Sequence, residues 1–464
     1  MNHAETEILT GSELKKALDL SAGTNNRKAY GQLETFLHGK ATPRICTLYG
    51  LRNTGKTALV MQTIAKMSAD DFSKTAYILA TDTDSFDSLS RDMKRLYAGG
   101  FRYVFIRNAE SVCGFTDSAS LFSDIYAAMG MKIVVSGDNS FAFRLAANDE
   151  LYDRTHLIHT TPSSFGEYCE GNEKGTFEQY LSGGGICGEA LKKQNVDAYI
   201  ENAVVANVTQ SLGKMDSHEL SGCITVPLKN GLLPEMIREI IEEINREFVH
   251  FALTNAGLPC CNFAKTPWDE QQMRTKDELI RYLKELDFIT ELPVEYGHPK
   301  TDRARQFRFT QSAVQYCKAL CTTAEADAVM EQMQKDRVLL DTANALGKRY
   351  RVFKLEFARG EFDMVIRDNE TNSCAVYEIK HSSEIVSEQA KHLRDEEKLS
   401  LTADKYGEIV GRFVLYRGKN EDTADGIVYR NAEDYLKALP DIALSSELKE
   451  DQNEDENQGF QPTM

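Results

Sequence analysis

Between Arg44 and His159 short apolar runs alternate with longer segments of helical period. The runs Ile45–Tyr49, Thr75–Leu79, Tyr103–Ile106 and Lys132–Val135 read as strands, and the segments between them are long enough for helices. Apolar strands alternating with helices predict a parallel sheet covered on both faces. After Pro162 the period becomes helical. Pro234 to Leu253 sets Ile237, Ile240, Ile241, Ile244, Phe248 and Phe251 on one stripe, and Asp277 to Leu286 does the same with Leu279, Tyr282, Leu283 and Leu286. Phe288-Ile289, a Pro/Gly/basic loop from Gly297 to Arg305, and Gln306–Phe309 follow. Helix, helix, strand, basic loop, strand is the outline of a winged helix, and a helical connector with a surface hairpin fits the same pattern. From Lys335 to Tyr416 strands return.

The chain has 464 residues, the length of about three domains. Its net charge of −17 argues against a wholesale nucleic-acid coat protein, whose field must attract phosphate rather than repel it. A local basic face remains allowed: Lys335 to Lys419 carries 16 Lys/Arg against 15 Asp/Glu, so this region is near neutral. No window approaches the ~18 consecutive apolar residues of a membrane helix, and Met1 to Leu20 carries Glu5, Glu7, Glu13 and Asp19 rather than a signal-peptide core. The ten cysteines include the neighbours Cys260-Cys261 and Cys317/Cys321 but no CxxC, which predicts reduced thiols and no zinc site. A cytoplasmic location is expected. Ser446 to Met464, with six acidic residues and one Lys, is expected to be a disordered tail.

Gly50-Leu51-Arg52-Asn53-Thr54-Gly55-Lys56-Thr57 matches GxxxxGK[ST] at every fixed position, after a predicted strand and before a predicted helix. The glycines let successive N–H groups face one phosphate cluster, and the helix adds its positive end. Lys56 supplies a point charge, and the Thr57 hydroxyl is the expected Mg²⁺ ligand. The pattern predicts nucleotide binding. Hydrolysis further asks for an Asp, often followed by a Glu, at the end of a later strand. After Tyr103–Ile106 stand Arg107 and Asn108 instead. Glu110, Asp82 and Asp84 are the other acids in range, either metal ligands or solvated loop residues. The expectation is slow or absent turnover. Ser136 and Asn139 are candidates for sensing the γ-phosphate, and Arg154 for touching nucleotide or a neighbouring domain.

Near the C-terminus, Glu361–Arg367 and Cys374–Lys380 read as two strands joined by a turn-rich stretch, Asp368 to Ser373. A loop centred between Glu370 and Thr371 sets Asp363 opposite Glu378, with Lys380 on the same face. Phe362, Met364, Ile366, Ala375, Tyr377 and Ile379 then take the other, core face. Two opposed carboxylates destabilise a sheet and ask for a compensating cation. A divalent metal bridging Asp363 and Glu378, with Lys380 positioning or activating a water, is the arrangement of metal-dependent phosphodiester hydrolysis. An ordinary solvent face of alternating charges accounts for the same pattern.

The phosphate loop, the Tyr103–Ile106 strand, Lys132-Ile133-Val134-Val135-Ser136-Gly137, Leu151-Tyr152-Asp153-Arg154 and Pro162…Glu167-Tyr168 together resemble the prokaryotic AAA-type ATPases that carry a winged-helix lid and a C-terminal PD-(D/E)XK nuclease-like domain. The resemblance covers about residues 25 to 420. Gly360-Glu361-Phe362-Asp363 and Tyr377-Glu378-Ile379-Lys380-His381-Ser382 are similar to the Asp and ExK elements of that nuclease core, with Gln389 and Lys391 on the helix that follows. Two departures stand out. The acidic pair of the family is Arg107 and Asn108 here, and the helix before the nuclease sheet, which usually supplies a Glu, reads Gln334-Lys335-Asp336-Arg337, with Asp336 or Glu331 as substitutes.

The resemblance implies an α/β protein. Residues 1–165 are expected to form a parallel-sheet P-loop ATPase domain and 166–325 a helical lid and winged helix. Residues 326–445 are expected to form a restriction-endonuclease-like domain, and 446–464 the tail. It also implies ATP and Mg²⁺ as cofactors, with nucleotide regulating a nuclease-like module. A switch that binds ATP without turnover and acts on a protein partner is the other reading. DNA is an expected partner through Lys300, Arg303, Arg305 and Arg308 of the wing and through the C-terminal domain, and a homo-oligomer is a further expectation.

Overall fold

A computed structural model describes residues 6–20, 29–40, 42, 44–148, 150–171, 175–183, 191–209, 232–259, 267–297, 305–321 and 325–439. The expected acidic tail, and Lys300 and Arg303 of the expected wing, lie outside them.

Six strands form the first sheet: β1 (Glu7–Thr10), β2 (Ile45–Tyr49), β3 (Thr75–Leu79), β4 (Tyr103–Arg107), β5 (Lys132–Gly137) and β6 (Thr155–His159). Their order is β1-β3-β4-β5-β2-β6. All pairings are parallel except β1 with β3. Period-2 alternation divides each strand between two cores. Cys46, Leu48, Tyr77, Phe105 and Val134 meet Leu59, Val60 and Ile64 of helix α1 (Lys56–Lys66) on one face. Ile45, Ile78, Val104, Ile106, Ile133 and Val135 meet Leu89, Met93, Phe115, Phe122 and Phe143 on the other. Both faces are therefore dry, which is why these strands read as unbroken apolar runs.

The middle of the chain contains α2 (Leu232–Asn255) and α3 (Glu270–Glu285), then three short strands: β7 (Ile289–Glu291), β8 (Val294–Tyr296) and β9 (Phe307–Phe309). Helix α3 begins earlier than its apolar stripe suggests, because Asp269 caps it by accepting the Gln272 N–H. β7 and β9 pair antiparallel. Ile237, Ile240, Ile241 and Ile244 of α2, Leu279 and Leu283 of α3, and Phe307 and Phe309 share one core, which also takes in Leu51 of the phosphate loop.

The C-terminal part runs through helices α4 (Ser312–Cys321) and α5 (Ala326–Ala345), strands β10 (Tyr350–Glu356), β11 (Glu361–Asp368) and β12 (Ser373–Ile379), helix α6 (Glu396–Tyr406), and strands β13 (Glu408–Tyr416), β14 (Glu421–Asp422) and β15 (Ile427–Asn431). Its seven-stranded sheet has the order β14-β15-β13-β12-β11-β10-β8. β11 pairs antiparallel with both β10 and β12, and β12 pairs parallel with β13.

The cores do not divide at 165/166 and 325/326. β8, from the middle of the chain, pairs parallel with β10 as an edge strand of the C-terminal sheet. Phe165, Phe177, Tyr180 and Leu181 pack with Val329, Met333, Tyr377 and Leu415. These four residues of 165–183 are buried against the C-terminal sheet rather than inside a separate lid. Among the described residues no helix is long and apolar enough to cross a membrane.

Candidate functional site

The phosphate loop leaves β2 at Gly50 and enters α1 at Lys56. Gly50 has φ +150°, and a Cβ there would stand 2.1 Å from the Thr160 carbonyl oxygen, so only glycine fits beside the end of β6. Gly55, φ +88°, turns the chain into the helix. Thr54 donates to the Leu51 carbonyl (2.8 Å) and shares a hydrogen bond with the Thr160 hydroxyl (2.8 Å). The buried Lys56 ammonium donates to the carbonyls of Gly50 (2.8 Å) and Leu51 (2.7 Å) and pairs with Asp138 (2.8 Å). Thr57 is exposed at the helix start. Its open hydroxyl, the loop and the Lys56 charge fit a metal-bound nucleoside polyphosphate.

β4 ends beside β5, and β5 lies beside the phosphate-loop strand. Arg107 is exposed and hydrogen-bonds the Tyr77 hydroxyl, whose pKa burial raises and Arg107 opposes. Asn108 adopts φ +55°, and the tight turn Ala109–Ser111 swings Glu110 back under β5. Glu110 accepts the Asp138 N–H at 2.5 Å through one oxygen, and the other is buried without a hydrogen-bond partner. Burial pushes its pKa up to about 7, helped by the Asp138 charge and opposed by the Asp138 N–H and Lys56. Glu110 thus enters the site through a left-handed residue that no acidic motif signals. Asp138, which was missed in the sequence, is placed by the close of β5. Its only sequence signal is its position directly after a Ser-Gly pair that reads as a turn.

The other candidates have local roles. Asp84 closes its own turn by accepting the Thr81 N–H (2.7 Å) and hydroxyl (2.9 Å), and Asp82 is exposed. Ser136 donates to the Ile106 carbonyl across the sheet (3.2 Å). Asn139 accepts the Ala142 N–H (3.0 Å) and donates to Asn207 (3.1 Å). Arg154 pairs with Asp124 (2.5 Å) and donates to the Glu150 carbonyl (3.2 Å).

The middle of the chain grips the phosphate loop. The Arg52 carbonyl accepts from the Gln311 amide (2.9 Å), and the single Tyr199 hydroxyl proton is shared between that carbonyl (3.0 Å) and Gln311 Oε1 (2.7 Å). A second joint pairs Asp287, just after α3, with His159 (2.7 Å) and Arg144 (3.4 Å).

In the C-terminal sheet Met364 pairs with Tyr377 and Val365 with Val376, the register that sets Asp363 across from Glu378. The face they share is not a solvent face. Ala390, Leu393 and Tyr406 pack over it, and Phe362, expected on the opposite face, joins them because β11 carries one extra residue between Phe362 and Val365 relative to Phe353 and Leu355 of β10. Asp363 and Glu378 are 4% and 2% exposed. Asp363 accepts the Ile379 N–H (2.8 Å), and Lys335 of α5 lies 3.1 Å from its other oxygen. Lys380 lies 2.7 Å from Glu378 and 3.6 Å from Asp363. Burial favours the neutral acid at both. At Asp363, Lys335, Lys380 and the Ile379 amide outweigh it and hold the carboxyl below the usual range. At Glu378, burial and the Asp363 charge win over Lys380 and hold the group well above its ordinary value.

Of the four carboxylate oxygens, only Glu378 Oε1 lacks a hydrogen-bond partner or ion pair. No group of three His, Cys, Asp or Glu suited to a metal occurs among the described residues. As arranged, this donor set does not fit the divalent ion expected at Asp363 and Glu378. Asp336 cannot complete it, because it binds Gln332 (2.8 Å) and the buried Arg308. Glu331 lies on α5 near Lys335 and strengthens the charged form of that lysine. Lys391 is exposed between two tight turns, and the Gln389 side chain lies outside the described ones. Arg308, expected on a DNA-facing wing, is 2% exposed, and Arg305 pairs with Glu291 (2.7 Å).

Residues 42–169 match the family model described as an AAA domain. That part of the chain is an AAA-type P-loop domain, and the match ends well short of half the sequence. Among curated proteins none matches the chain. Among solved structures it is similar to Cdc6p from Pyrobaculum aerophilum, at 12% identity over 67% of this chain and 97% of that one, with a TM-score of 0.28. It is also similar to the Aeropyrum pernix ORC1 protein in complex with DNA, at 12% identity over 68% and 94%, with a TM-score of 0.26. The S. cerevisiae Hsp104–ADP complex is similar at 11% identity over 61% and 41%, with a TM-score of 0.29. Likenesses this loose carry no further argument.

Proposed function

We propose that this protein is an ATP-dependent switch in which nucleotide at Gly50–Thr57 sets the state of a C-terminal module of the PD-(D/E)XK nuclease type. The observation that carries the reading is the convergence of Glu110 and Asp138 on Lys56. ATP enters with its phosphates along the loop N–H groups. Lys56, now paired with Asp138, would hold the β/γ-phosphates, and the Thr57 hydroxyl would hold a Mg²⁺ that supplies charge neutralisation there. Glu110, at the end of the neighbouring strand, serves as the base that orders the attacking water, in place of the acids that Arg107 and Asn108 replace. Its off-motif position fits slow turnover.

The C-terminal reading is supported by the element sequence α5-β10-β11-β12-α6-β13 and by Asp363, Glu378 and Lys380 gathered at the β11–β12 seam. Transmission runs from the Arg52 carbonyl through Tyr199 and Gln311 to the middle core, and from there along β8 into the C-terminal sheet. The β7–β9 pair behind α2 and α3 has the outline of a winged helix, with DNA as the partner it suggests.

ATP binding and turnover, measured on the natural chain, Lys56→Ala and Glu110→Gln, test this reading. It expects binding to fail in Lys56→Ala. In Glu110→Gln it expects binding to persist while turnover falls about a hundredfold or more. Equal turnover in Glu110→Gln and the natural chain removes the base assignment, and unchanged affinity in Lys56→Ala removes the nucleotide site.

A further inference from the structure

Asp363 and Glu378 pose a charge problem that the protein must solve without water. They face each other on adjacent strands, both almost fully buried. Two like charges so placed are costly unless cations compensate them inside the same dry volume. The chain supplies two. Lys380 follows β12 and reaches both acids. Lys335 arrives from the helix on the N-terminal side of the sheet, 3.1 Å from Asp363, with 12% of its own side chain exposed. Two acids and two ammonium groups thus share one dry volume.

A divalent ion entering this arrangement meets two obstacles. It adds two positive charges to a cluster that already holds two ammonium groups, and it finds a single open carboxyl oxygen, Glu378 Oε1, where a hard cation asks for about six oxygens. The helix that reaches the acids from outside the sheet brings an ammonium group, not a third carboxylate. At 3.1 Å from Asp363, Lys335 Nζ sits where a bridging ion would contact that acid.

We propose that Lys335 is the resident cation of this site, standing in for a divalent metal, so that the natural chain holds neither Mg²⁺ nor Mn²⁺ at Asp363 and Glu378. The inference rests on the nuclease-type reading only for the expectation of a metal there. In the natural chain the C-terminal module then engages its partner without cutting a phosphodiester. A single reversal of charge at position 335 restores what the acids lack.

The probe is Mn²⁺, followed by the paramagnetic resonance of the free ion and by thermal melting, on full chains without nucleotide. All carry Lys56→Ala so that the phosphate loop is common to them. With Lys335 present, no Mn²⁺ bound through Asp363 is expected, and the melting temperature should not respond to Mn²⁺ beyond the response of an added Asp363→Asn control. Lys335→Glu should bind one ion, at least about tenfold tighter than the parent, and Asp363→Asn added to it should abolish that binding. Should Lys335→Glu not fold, Lys335→Gln serves. It leaves the acids one cation short, so it should melt lower than the parent and regain stability with Mn²⁺. Mn²⁺ binding in the parent that Asp363→Asn removes would overturn the proposal, as would Lys335 variants that fold and ignore the ion. ATP affinity of the chain with Lys56 intact is read separately, so failure of the switch reading and failure of this one are told apart.

Discussion

Glu110 lies so close to Gly137 that a methyl group at position 137 would stand 1.7 Å from its Oε2. Glycine there is what lets a carboxylate from the end of β4 pass beneath β5 to the vicinity of Lys56. Gly137→Ala should therefore displace Glu110 without touching the phosphate loop. Overpacking of this kind costs about 1–3 kcal/mol. The expected signature is a fall in turnover of about tenfold or more with ATP affinity nearly unchanged. An unaltered turnover number in this variant would show that Glu110 is not the group that matters.

The raised pKa of Glu110 gives the free protein a titration near neutrality. Burial, then the Asp138 charge, lift it from its ordinary 4.5 to about 7. A base must be ionised to act, so kcat/KM should climb as pH rises towards about 7 and level off above it. The stability effect runs the other way. The folded state prefers the protonated acid, so this contribution is complete below the ordinary value and is lost as pH rises from 4.5 to about 7. A pH–rate profile of the natural chain against Glu110→Gln checks the first limb. The variant should lack it.

Tyr199 and Gln311 both bond the Arg52 carbonyl, and each lies in sequence far from the loop it holds. Tyr199→Phe removes a half-buried hydroxyl and should lower stability by about 1 kcal/mol or less. With Gln311→Ala added, the loop loses both donors. ATP added to the natural chain should alter hydrogen exchange in β8 and β10. In the double variant the same addition should alter only the P-loop domain. Exchange changes that persist at β10 would mean that the signal travels by the Asp287–His159 joint instead.

Two arginines from one basic stretch should behave differently. Arg308 is buried against Asp336 and over the Phe248 ring, whereas half of the Arg305 side chain is exposed. Arg308→Ala strands a buried carboxylate and should cost about 3–5 kcal/mol. Arg305→Ala should cost less than about 1 kcal/mol. Chemical denaturation measures both. Comparable losses would contradict the burial assigned to Arg308.

Arg308 also marks where the sequence stopped being legible. Gln306-Phe307-Arg308-Phe309 follows a basic loop, and a charged residue between two Phe reads as the wet side of a hairpin. Nothing local reveals that α5 brings Asp336 to that side. The parts that were legible are those where a local rule meets a strict geometry. The glycines of the phosphate loop admit one backbone course, and a turn centred at Glu370–Thr371 admits one register for Asp363 and Glu378. The parts that were not legible depend on backbone turns or distant partners. Asn108 in the left-handed region delivers Glu110, helix α3 starts in polar residues that carry no stripe, and β8 gives no sign of leaving its neighbours for another sheet.

That departure decides what can be cut from this protein. β8 covers one side of β10 and is contributed from upstream of helices α4 and α5. A fragment beginning at residue 326 would keep every residue of the acidic site and still present β10 as a bare edge, a row of unsatisfied amides open to any strand of suitable shape. Such a fragment should self-associate, and one beginning before Val294 should not. The C-terminal module is therefore not a detachable cargo at the end of the chain. Its sheet is completed only after the polypeptide has already passed through it once.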